Sequence, residues 1–387
     1  MIARDHDNAR RLLLKAMLCA PVLCVPFSLR ATPCGPWPEW TEFVKRHVQA
    51  DGRVVDLDTK VQQSTSESQS YGMFFALVAN DHAIFERILH WLQNNLAGGA
   101  LGQRLPAWRW GLADDGTWKV LDGNSASDAD LWIAYSLIEA GRLWSNRTYT
   151  ALGTSLLSLV AQKEVSEIAG LGRMLLPGQA GFLENGRVRL NTSYLPLQLL
   201  RRFAQVDPHG PWEAMAASTL KLVRASSPNG FVPDWSGWSA SAYVPDTVSG
   251  GVGSYDAIRV YLWAGMLPAA EELRGLLLDA LGGPLALVRS QGSFSEKIDT
   301  ARGVGFGTAP VGYAGALLPY FKALGETGLA ATQLAIVAKG GNGPRPLPYY
   351  ERVLILFGKG WFEGRFSFSS AGRLQTGWEE SCLNAKR

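Results

Sequence analysis

The sequence of 387 residues holds 37 Lys and Arg against 34 Asp and Glu, a formal charge of +3 that is too small to indicate binding to nucleic acid. Hydrophobic residues make up 47% of the chain and charged residues 18%, which is typical of a globular protein with a large core. The expected partner is therefore neutral or nearly so. The 14 Trp residues fit this expectation, because Trp stacks on sugar rings as well as packing in cores.

The first 31 residues are predicted to be a leader peptide. Arg10, Arg11 and Lys15 precede an apolar run, residues 16–29, which is followed by the small residue Ala31. The run is too short to span a bilayer comfortably. The order Arg-Arg-Leu-Leu-Leu-Lys is similar to a twin-arginine export signal, and an ordinary secretory signal fits equally well. Both predict a periplasmic or secreted protein, with residues 32–387 as a single domain and no stable membrane span once the leader is removed.

Cysteine and motif content argue against a bound cofactor or metal. Cys34 and Cys382 are the cysteines beyond the leader, and in an oxidising compartment we expect them to form a disulfide, with two unpaired thiols as the alternative. The chain has no CxxC motif and no HExxH spacing. Two Gly-rich runs lack the Lys of a P-loop and GxSxG is absent, so neither a nucleotide site nor a serine esterase is predicted.

From residue 37 onwards, apolar residues recur mainly at helical spacing between loops that contain Gly, Pro and Trp. Caps and periodicity predict about twelve helices. Their predicted starts lie near residues 38, 68, 83, 128, 147, 193, 211, 255, 268, 311, 326 and 347. Few stretches alternate as strands, and two of them, residues 187–190 and 365–368, are expected to form short hairpins at the rim.

One long helix is predicted within residues 124–144, NSASDADLWIAYSLIEAGRLW, with Ser125 and Ser127 as N-cap residues. Asp128 and Asp130 then lie in its first turn. Because they are two residues apart they do not share a helix face, so one can point into a cleft while the other bonds the backbone. The alternative is that both simply oppose the helix dipole.

Two further acids stand at predicted helix starts. Glu67 lies in a run of Ser, Thr and Gln in which residues 64–67 and 66–69 both fit the capping-box pattern. Asp256 follows Gly253 and Ser254 and precedes the apolar run 257–266. Each acid alone is compatible with ordinary helix-start chemistry.

The run ASDADLWIAYSLIEAGRLW closely resembles the signature of glycoside hydrolase family 8, the cellulase D family. Three stretches resemble the cellulase subgroup encoded with bacterial cellulose synthases: TSESQSYGMFFALVAND at 65–81, LPAWRWG at 105–111 and SYDAIRVYLWAGM at 254–266. The resemblance covers about residues 37–382. It implies an all-α (α/α)6 toroid of six helical hairpins with short rim β-hairpins. Parallel inner helices would bring the three helix-start acids to one face.

The resemblance also implies an activity: endo-1,4-β-glucanase, cutting internal bonds of cellulose with inversion, in the service of cellulose biosynthesis. It assigns Glu67 as general acid, Asp256 as general base, and Asp128 as a third carboxylate that positions the sugar or acts as nucleophile. The implied partners are β-1,4-glucan chains and the cellulose synthase or export complex. A xylanase or chitosanase of the same family, or a glucan-binding export accessory with little or no catalysis, are the alternatives.

Aromatic loops supply the expected sugar-binding surface. Arg259, one helical turn after Tyr255, is expected to bind hydroxyls or orient a carboxylate. Ordinary packing is the alternative for each aromatic. Ser68 stands where relatives commonly carry Gly, and a side chain there is expected to narrow the approach to Glu67. The candidate stacking residues are Trp108, Trp110, Trp118, Tyr194 and Tyr255.

Overall fold

The computed structural model describes residues 35–343 and 345–381. Within them, fourteen α-helices and a 3-10 helix at Thr192–Tyr194 dominate the chain. No helix in these two ranges has the length and apolar character needed to cross a membrane. The helices are α1 (Pro38–His47), α2 (Ser66–Val78), α3 (His82–Asn95), α4 (Ser127–Leu143), α5 (Arg147–Lys163), α6 (Leu197–Val206), α7 (Trp212–Ser226), α8 (Ala257–Met266), α9 (Arg274–Ala280), α10 (Gly283–Gln291), α11 (Val311–Ala323), α12 (Thr327–Gly341), α13 (Tyr349–Phe362) and α14 (Gly377–Ser381).

The predicted leader and both cysteines of the predicted disulfide, Cys34 and Cys382, lie outside the described residues. The disulfide, the leader and the domain boundaries therefore stay predictions.

Six of the helices line the interior of the fold: α2, α4, α6, α8, α11 and α13. They alternate along the chain with more exposed helices. Each contacts the next, and Phe75 of α2 lies 4.6 Å from Phe357 of α13, which closes the ring. All ten residues of α8 are buried, as expected for a helix surrounded by others rather than lying on a surface. The (α/α)6 toroid is thereby confirmed.

Aromatic side chains fill the centre of this ring. The ring of Phe357 on α13 lies 5.2 Å from Trp132 of α4 and 5.1 Å from Trp263 of α8. Glycine allows the closest approach between helices, because a Cβ on Gly358 would lie 1.9 Å from the carbonyl oxygen of Gly315 on α11. This packing fixes the inner helices against one another and so fixes where their N-terminal ends stand.

Fourteen short strands in the described residues form five antiparallel sheets. The sheets are β1 (Ser64–Thr65), β2 (Arg109–Leu112) and β3 (Trp118–Asp122); β4 (Val165–Ile168) and β5 (Gly172–Leu175); β6 (Leu183–Glu184), β7 (Arg187–Leu190), β8 (Ser236–Ser239) and β9 (Ala242–Pro245); β10 (Val252–Gly253), β11 (Ser295–Asp299) and β12 (Val304–Thr308); and β13 (Phe366–Phe368) and β14 (Leu374–Thr376). The two predicted strands match β7 and β13. The others escaped prediction because strands of two to five residues are too short for alternation to be recognised.

Most predicted helix starts agree with the structure, two differ, and two short helices were missed. The start near residue 193 is the 3-10 helix, with α6 beginning at Leu197. The start near 268 is wrong: Leu267 is extended before Pro268, as residues before proline usually are, and α9 begins only at Arg274. The short helices α10 and α14 were not predicted.

Candidate active site

The start of α2 positions Glu67. Thr65 is the N-cap: its hydroxyl oxygen accepts the Ser68 backbone N–H at 3.1 Å, and the Ser68 hydroxyl accepts the Thr65 N–H at 3.0 Å. The capping boxes predicted at 64–67 and 66–69 are therefore wrong by one residue. Because the box uses Thr65 and Ser68, the carboxyl group of Glu67 is left free for other contacts.

Ser68 does not narrow the approach to Glu67. Its side chain is buried, and its hydroxyl hydrogen-bonds the backbone of Thr65 and, at 3.2 Å, the carbonyl oxygen of Val54. The expectation drawn from Ser at this position is therefore wrong, because the hydroxyl is held against the backbone at the helix start.

Two hydrogen-bond donors orient the carboxyl group of Glu67, while its burial favours the protonated form. The indole N–H of Trp108 donates to Oε1 at 3.1 Å, and the Ser66 hydroxyl lies 3.4 Å from Oε2. Burial raises the pKa of Glu67 to about 8, and the negative charge of Asp128 adds to this effect. A carboxyl group that keeps its proton at neutral pH is suited to general acid catalysis.

The start of α4 differs from its prediction. Its N-cap is Ala126, which has no side-chain acceptor, so the expected N-cap roles of Ser125 and Ser127 are wrong. The Ser125 hydroxyl instead donates to Glu164 Oε1 at 2.6 Å. Asp128 Oδ1 accepts the backbone N–H of the next residue, Ala129, at 2.9 Å. Asp128 is thus held rigidly, and burial raises the pKa of its carboxyl group.

Arg259 on α8 joins three inner helices at one point. Its Nη2 donates to Asp256 Oδ1 at 2.8 Å, one turn earlier on the same chain segment. Its Nη1 donates to Asp128 Oδ2 at 2.8 Å on α4 and to the Tyr71 hydroxyl at 2.7 Å on α2. Glu67 is on the same helix as Tyr71 and within electrostatic reach of Asp128. The structure therefore brings Glu67, Asp128 and Asp256 to one end of the ring.

Asp256 differs from Asp128 in its access to solvent. Its side chain is 30% exposed, whereas that of Asp128 is 1% exposed. The second carboxylate oxygen, Oδ2, accepts the Asn191 amide N–H at 3.0 Å. Asn191 in turn is fixed because its own Oδ1 accepts the backbone N–H and hydroxyl of Ser193. Asp256 is thus oriented on two sides while remaining accessible to water.

Two of the predicted sugar-binding aromatics lie directly at this cluster. Trp108 donates to Glu67, and the Tyr194 ring lies 5.6 Å from the Arg259 guanidinium carbon. The Trp235 ring meets Tyr194 edge-on at 6.1 Å and extends the aromatic surface.

The other predicted aromatics contact residues other than the three carboxylates. Tyr255 is 41% exposed, and its hydroxyl donates to Glu296 at 3.3 Å. Trp110 stacks on the exposed Trp118 with ring centres 5.1 Å apart, and the guanidinium of Arg53 lies over both rings. These contacts place Trp110 and Trp118 in an aromatic stack on β2 and β3.

Asp130, the second acid of α4, contacts Glu164, and the charges of Asp128 and Glu67 also reach it. It is fully buried against the carboxyl group of Glu164. Two carboxyl groups in contact are satisfied only when at least one carries a proton, and burial raises the pKa of Glu164 to about 8 and that of Asp130 well above its usual value. The described part of the chain holds no group of three or more His, Cys, Asp and Glu arranged to bind a metal ion.

Comparison with known proteins identifies the family. The sequence profile of glycosyl hydrolases family 8 matches residues 13–364. The chain belongs to glycosyl hydrolases family 8. The resemblance recognised in the sequence is thus confirmed, and the protein is a glycosyl hydrolase.

Relatives of this family 8 hydrolase match along most of its length. An endoglucanase from Xanthomonas axonopodis pv. citri is 52% identical over 372 residues, which cover 95% of this chain and 97% of the relative. An endoglucanase from Escherichia coli K12 is 42% identical over 379 residues, or 96% and 99% of the two chains. The crystal structure of endo-1,4-D-glucanase from Vibrio fischeri ES114 superposes with a TM-score of 0.84 at 41% identity, covering 89% and 100%.

Sequence reasoning missed four residues that contact the carboxylate cluster or its aromatic neighbours. Asn191 stands in the same stretch as Tyr194, yet nothing in the local pattern shows that its amide reaches Asp256. Tyr71 lies one turn after Glu67 and is visible only as a core aromatic. The other two are Trp235 and Asp234, which come from a loop that reads as an ordinary turn after proline.

The buried Asp130–Glu164 pair predicts how the stability of this hydrolase depends on pH. Because the pKa of Glu164 is raised to about 8 in the folded state, the folded protein keeps a proton that the unfolded chain releases near pH 4.5. The unfolding free energy contributed by Glu164 is therefore fully present below about pH 4.5 and is lost as pH rises toward 8. Glu164→Gln imitates the protonated form, so we expect a smaller decrease of Tm between pH 5 and pH 8 than in wild type.

The measurement is differential scanning calorimetry across this pH range, with Glu184→Gln, an exposed glutamate on β6, as the matched control. One proton difference corresponds to a slope of about 1.4 kcal/mol per pH unit. A Glu164→Gln profile parallel to wild type would show that Glu164 is ionised in the folded protein and would contradict its raised pKa.

Proposed function

We propose that this family 8 hydrolase is an endo-β-1,4-glucanase that cleaves internal bonds of cellulose-like chains with inversion of configuration. The observation that carries the proposal is the single Arg259 guanidinium that holds Asp128 and Asp256 together beside Glu67, whose pKa is raised to about 8. The relatives named endoglucanase support the choice of a glucan substrate.

In the proposed reaction, Glu67 donates its proton to the glycosidic oxygen as the bond to the anomeric carbon breaks. Asp256 takes a proton from a water molecule, and that water attacks the anomeric carbon from the opposite face. The exposure of Asp256 supports this role, since a base must reach water, whereas Asp128 is enclosed. Asp128 and Arg259 then hold the sugar at the cleavage subsite. An inverting arrangement requires Glu67 and Asp256 to stand about 6.5–9.5 Å apart, and this separation stays a prediction.

The proposal extends to location and partners. We infer a periplasmic or secreted enzyme that acts on glucan during cellulose biosynthesis, next to the cellulose synthase or export complex. The leader-like sequence of the first 31 residues and the likeness of its motifs to the cellulose-operon subgroup support this inference. Export of a fusion between these residues and a reporter enzyme, compared with Arg10→Lys together with Arg11→Lys, tests the route.

The substrate is tested by product analysis on carboxymethylcellulose, xylan and chitosan, with Glu67→Gln as the inactive control. We expect kcat/KM on cello-oligosaccharides to exceed that on the other two classes by about tenfold or more, since a site that binds the glucose hydroxymethyl group gains contacts that xylose lacks. Preference for xylan or chitosan contradicts the proposed substrate. Glucan binding without release of reducing ends favours the non-catalytic accessory, although the engagement of Ser68 in the helix cap removes the sequence feature that pointed to it.

A further inference from the structure

Asp234 carries an unusual concentration of hydrogen bonds at the beginning of α8. Its Oδ1 accepts the backbone N–H groups of Ser254 at 2.7 Å, Asp256 at 3.1 Å and Ala257 at 2.8 Å. Its Oδ2 accepts the Ser254 hydroxyl at 2.6 Å. Its own backbone N–H donates to the carbonyl oxygen of Val252 on β10 at 2.9 Å, which anchors the loop that supplies it. One carboxylate thus accepts four donors from the segment that contains Asp256.

Through these hydrogen bonds Asp234 caps the start of α8, a role that Asp256 would otherwise have. Asp256 is the N-cap residue of α8, but its backbone is helical and its side chain makes no cap hydrogen bond. An aspartate at this position ordinarily turns its carboxylate back onto the first free N–H groups of the helix. Here Asp234, 22 residues earlier, accepts those N–H groups instead. The carboxylate of Asp256 is therefore free to face Arg259 and Asn191.

We propose that Asp234 is a positioning residue for catalysis: it caps α8 in place of Asp256 and places a second negative charge behind that carboxylate. The inference rests on the proposed role of Asp256 as general base. The cap fixes the direction of the Asp256 side chain, because the backbone N–H of Asp256 itself is one of the bonded groups. The two carboxylates carry like charges at the same helix start, so the charge of Asp234 is the second contribution that the experiment tests.

The surroundings of Asp234 identify Asp256 as the group that its charge acts on near neutral pH. Burial raises the pKa of Asp234, and the charge of Asp256 adds to that rise. Three tyrosines are also within electrostatic reach of Asp234, and they stay neutral over the working range. They are Tyr261 on α8, Tyr313 on α11 and Tyr350 on α13.

Two substitutions distinguish the effect of the helix cap made by Asp234 from the effect of its negative charge. Asp234→Asn keeps an oxygen that accepts the three N–H groups, and its amide donates to the Ser254 hydroxyl, so the geometry is retained while the charge is lost. We expect kcat to fall about tenfold with KM within twofold of wild type, and the acidic limb of the kcat profile to move toward lower pH. Asp234→Ala removes both contributions and should lower kcat about 100-fold.

Asp246 supplies a matched control. It is a buried loop aspartate that accepts the backbone N–H groups of Val248 and Ser249 and pairs with Arg189. Asp246→Asn should lower Tm without moving the pH profile of kcat. If Asp234→Asn likewise leaves the profile unmoved and kcat within twofold of wild type, Asp234 has only a structural role and the proposal is overturned.

A second readout does not depend on the substrate. Hydrogen exchange of the segment 254–257, followed by mass spectrometry on the full-length protein, should accelerate in Asp234→Ala and stay near wild type in Asp234→Asn. Unchanged exchange in Asp234→Ala overturns the cap even if the protein cleaves no β-1,4-glucan. Absence of glucan cleavage by wild type with faster exchange in Asp234→Ala instead rejects the proposed function and leaves the cap standing.

Discussion

Glu67→Gln is expected to lower kcat on soluble β-1,4-glucan about 10³-fold while leaving the affinity for cello-oligosaccharides within about threefold of wild type. Glutamine keeps the size of the side chain and an oxygen that accepts the Trp108 indole N–H, but it has no acidic proton for the leaving oxygen. Reducing-end assays give kcat, and isothermal titration calorimetry gives the affinity.

The pH profile of the wild-type enzyme provides an independent check. Because burial and the charge of Asp128 raise the pKa of Glu67 to about 8, activity should fall as pH rises through about 8 and Glu67 loses its proton. Trp108→Phe is the matched variant, since it removes the hydrogen bond that stabilises the Glu67 carboxylate. This basic limb should then move to higher pH. Full activity of Glu67→Gln, or a basic limb near pH 5, would assign the acid elsewhere.

The positions of the three carboxylates could be predicted because each stands at the start of a helix, where caps and periodicity leave a local signature. The residues that cap these helices could not be predicted in the same way. Ser125 has the residue type of an N-cap, yet its hydroxyl donates to Glu164, which is 39 residues away. The sequence shows which side chains are able to cap, but tertiary acceptors compete for the same hydroxyl groups.

The residues that orient Asp256 illustrate a second limit. Asn191 bonds Asp256 from 65 residues earlier in the chain, and Asp234 from 22 residues earlier. Neither residue stands in a sequence pattern that differs from an ordinary turn. Arg259 was predictable because it lies one helical turn after Tyr255, the residue before Asp256. The hydrogen bond from Arg259 to Asp128 could not be predicted, because this bond depends on how α4 and α8 pack within the ring. The family resemblance predicted the fold, which the structure confirms, and the roles of the three acids, which stay predictions; the supporting contacts depend on tertiary packing.

The stereochemistry of the product is the second large expected effect. Under the proposed mechanism, proton NMR of the first-formed sugar should show the α-anomer from a β-linked substrate, because water attacks the face opposite the leaving group. Asp256→Asn should lower kcat about 10³-fold, since the amide cannot take the proton from that water. Azide added to Asp256→Asn should not restore activity by giving a sugar product of retained configuration.

Asp128→Asn distinguishes the two acids that Arg259 holds. Asp128 is 1% exposed and both of its oxygens accept hydrogen bonds, from Ala129 and Arg259, so it lacks the solvent access that a base requires. Removing its charge leaves the buried Arg259 with one fewer carboxylate partner, which disturbs the geometry of Asp256. We therefore expect KM to rise and kcat to fall together. A kcat loss with unchanged affinity, combined with a β-anomer as first product, would make Asp128 the nucleophile of a retaining enzyme and contradict the inverting assignment.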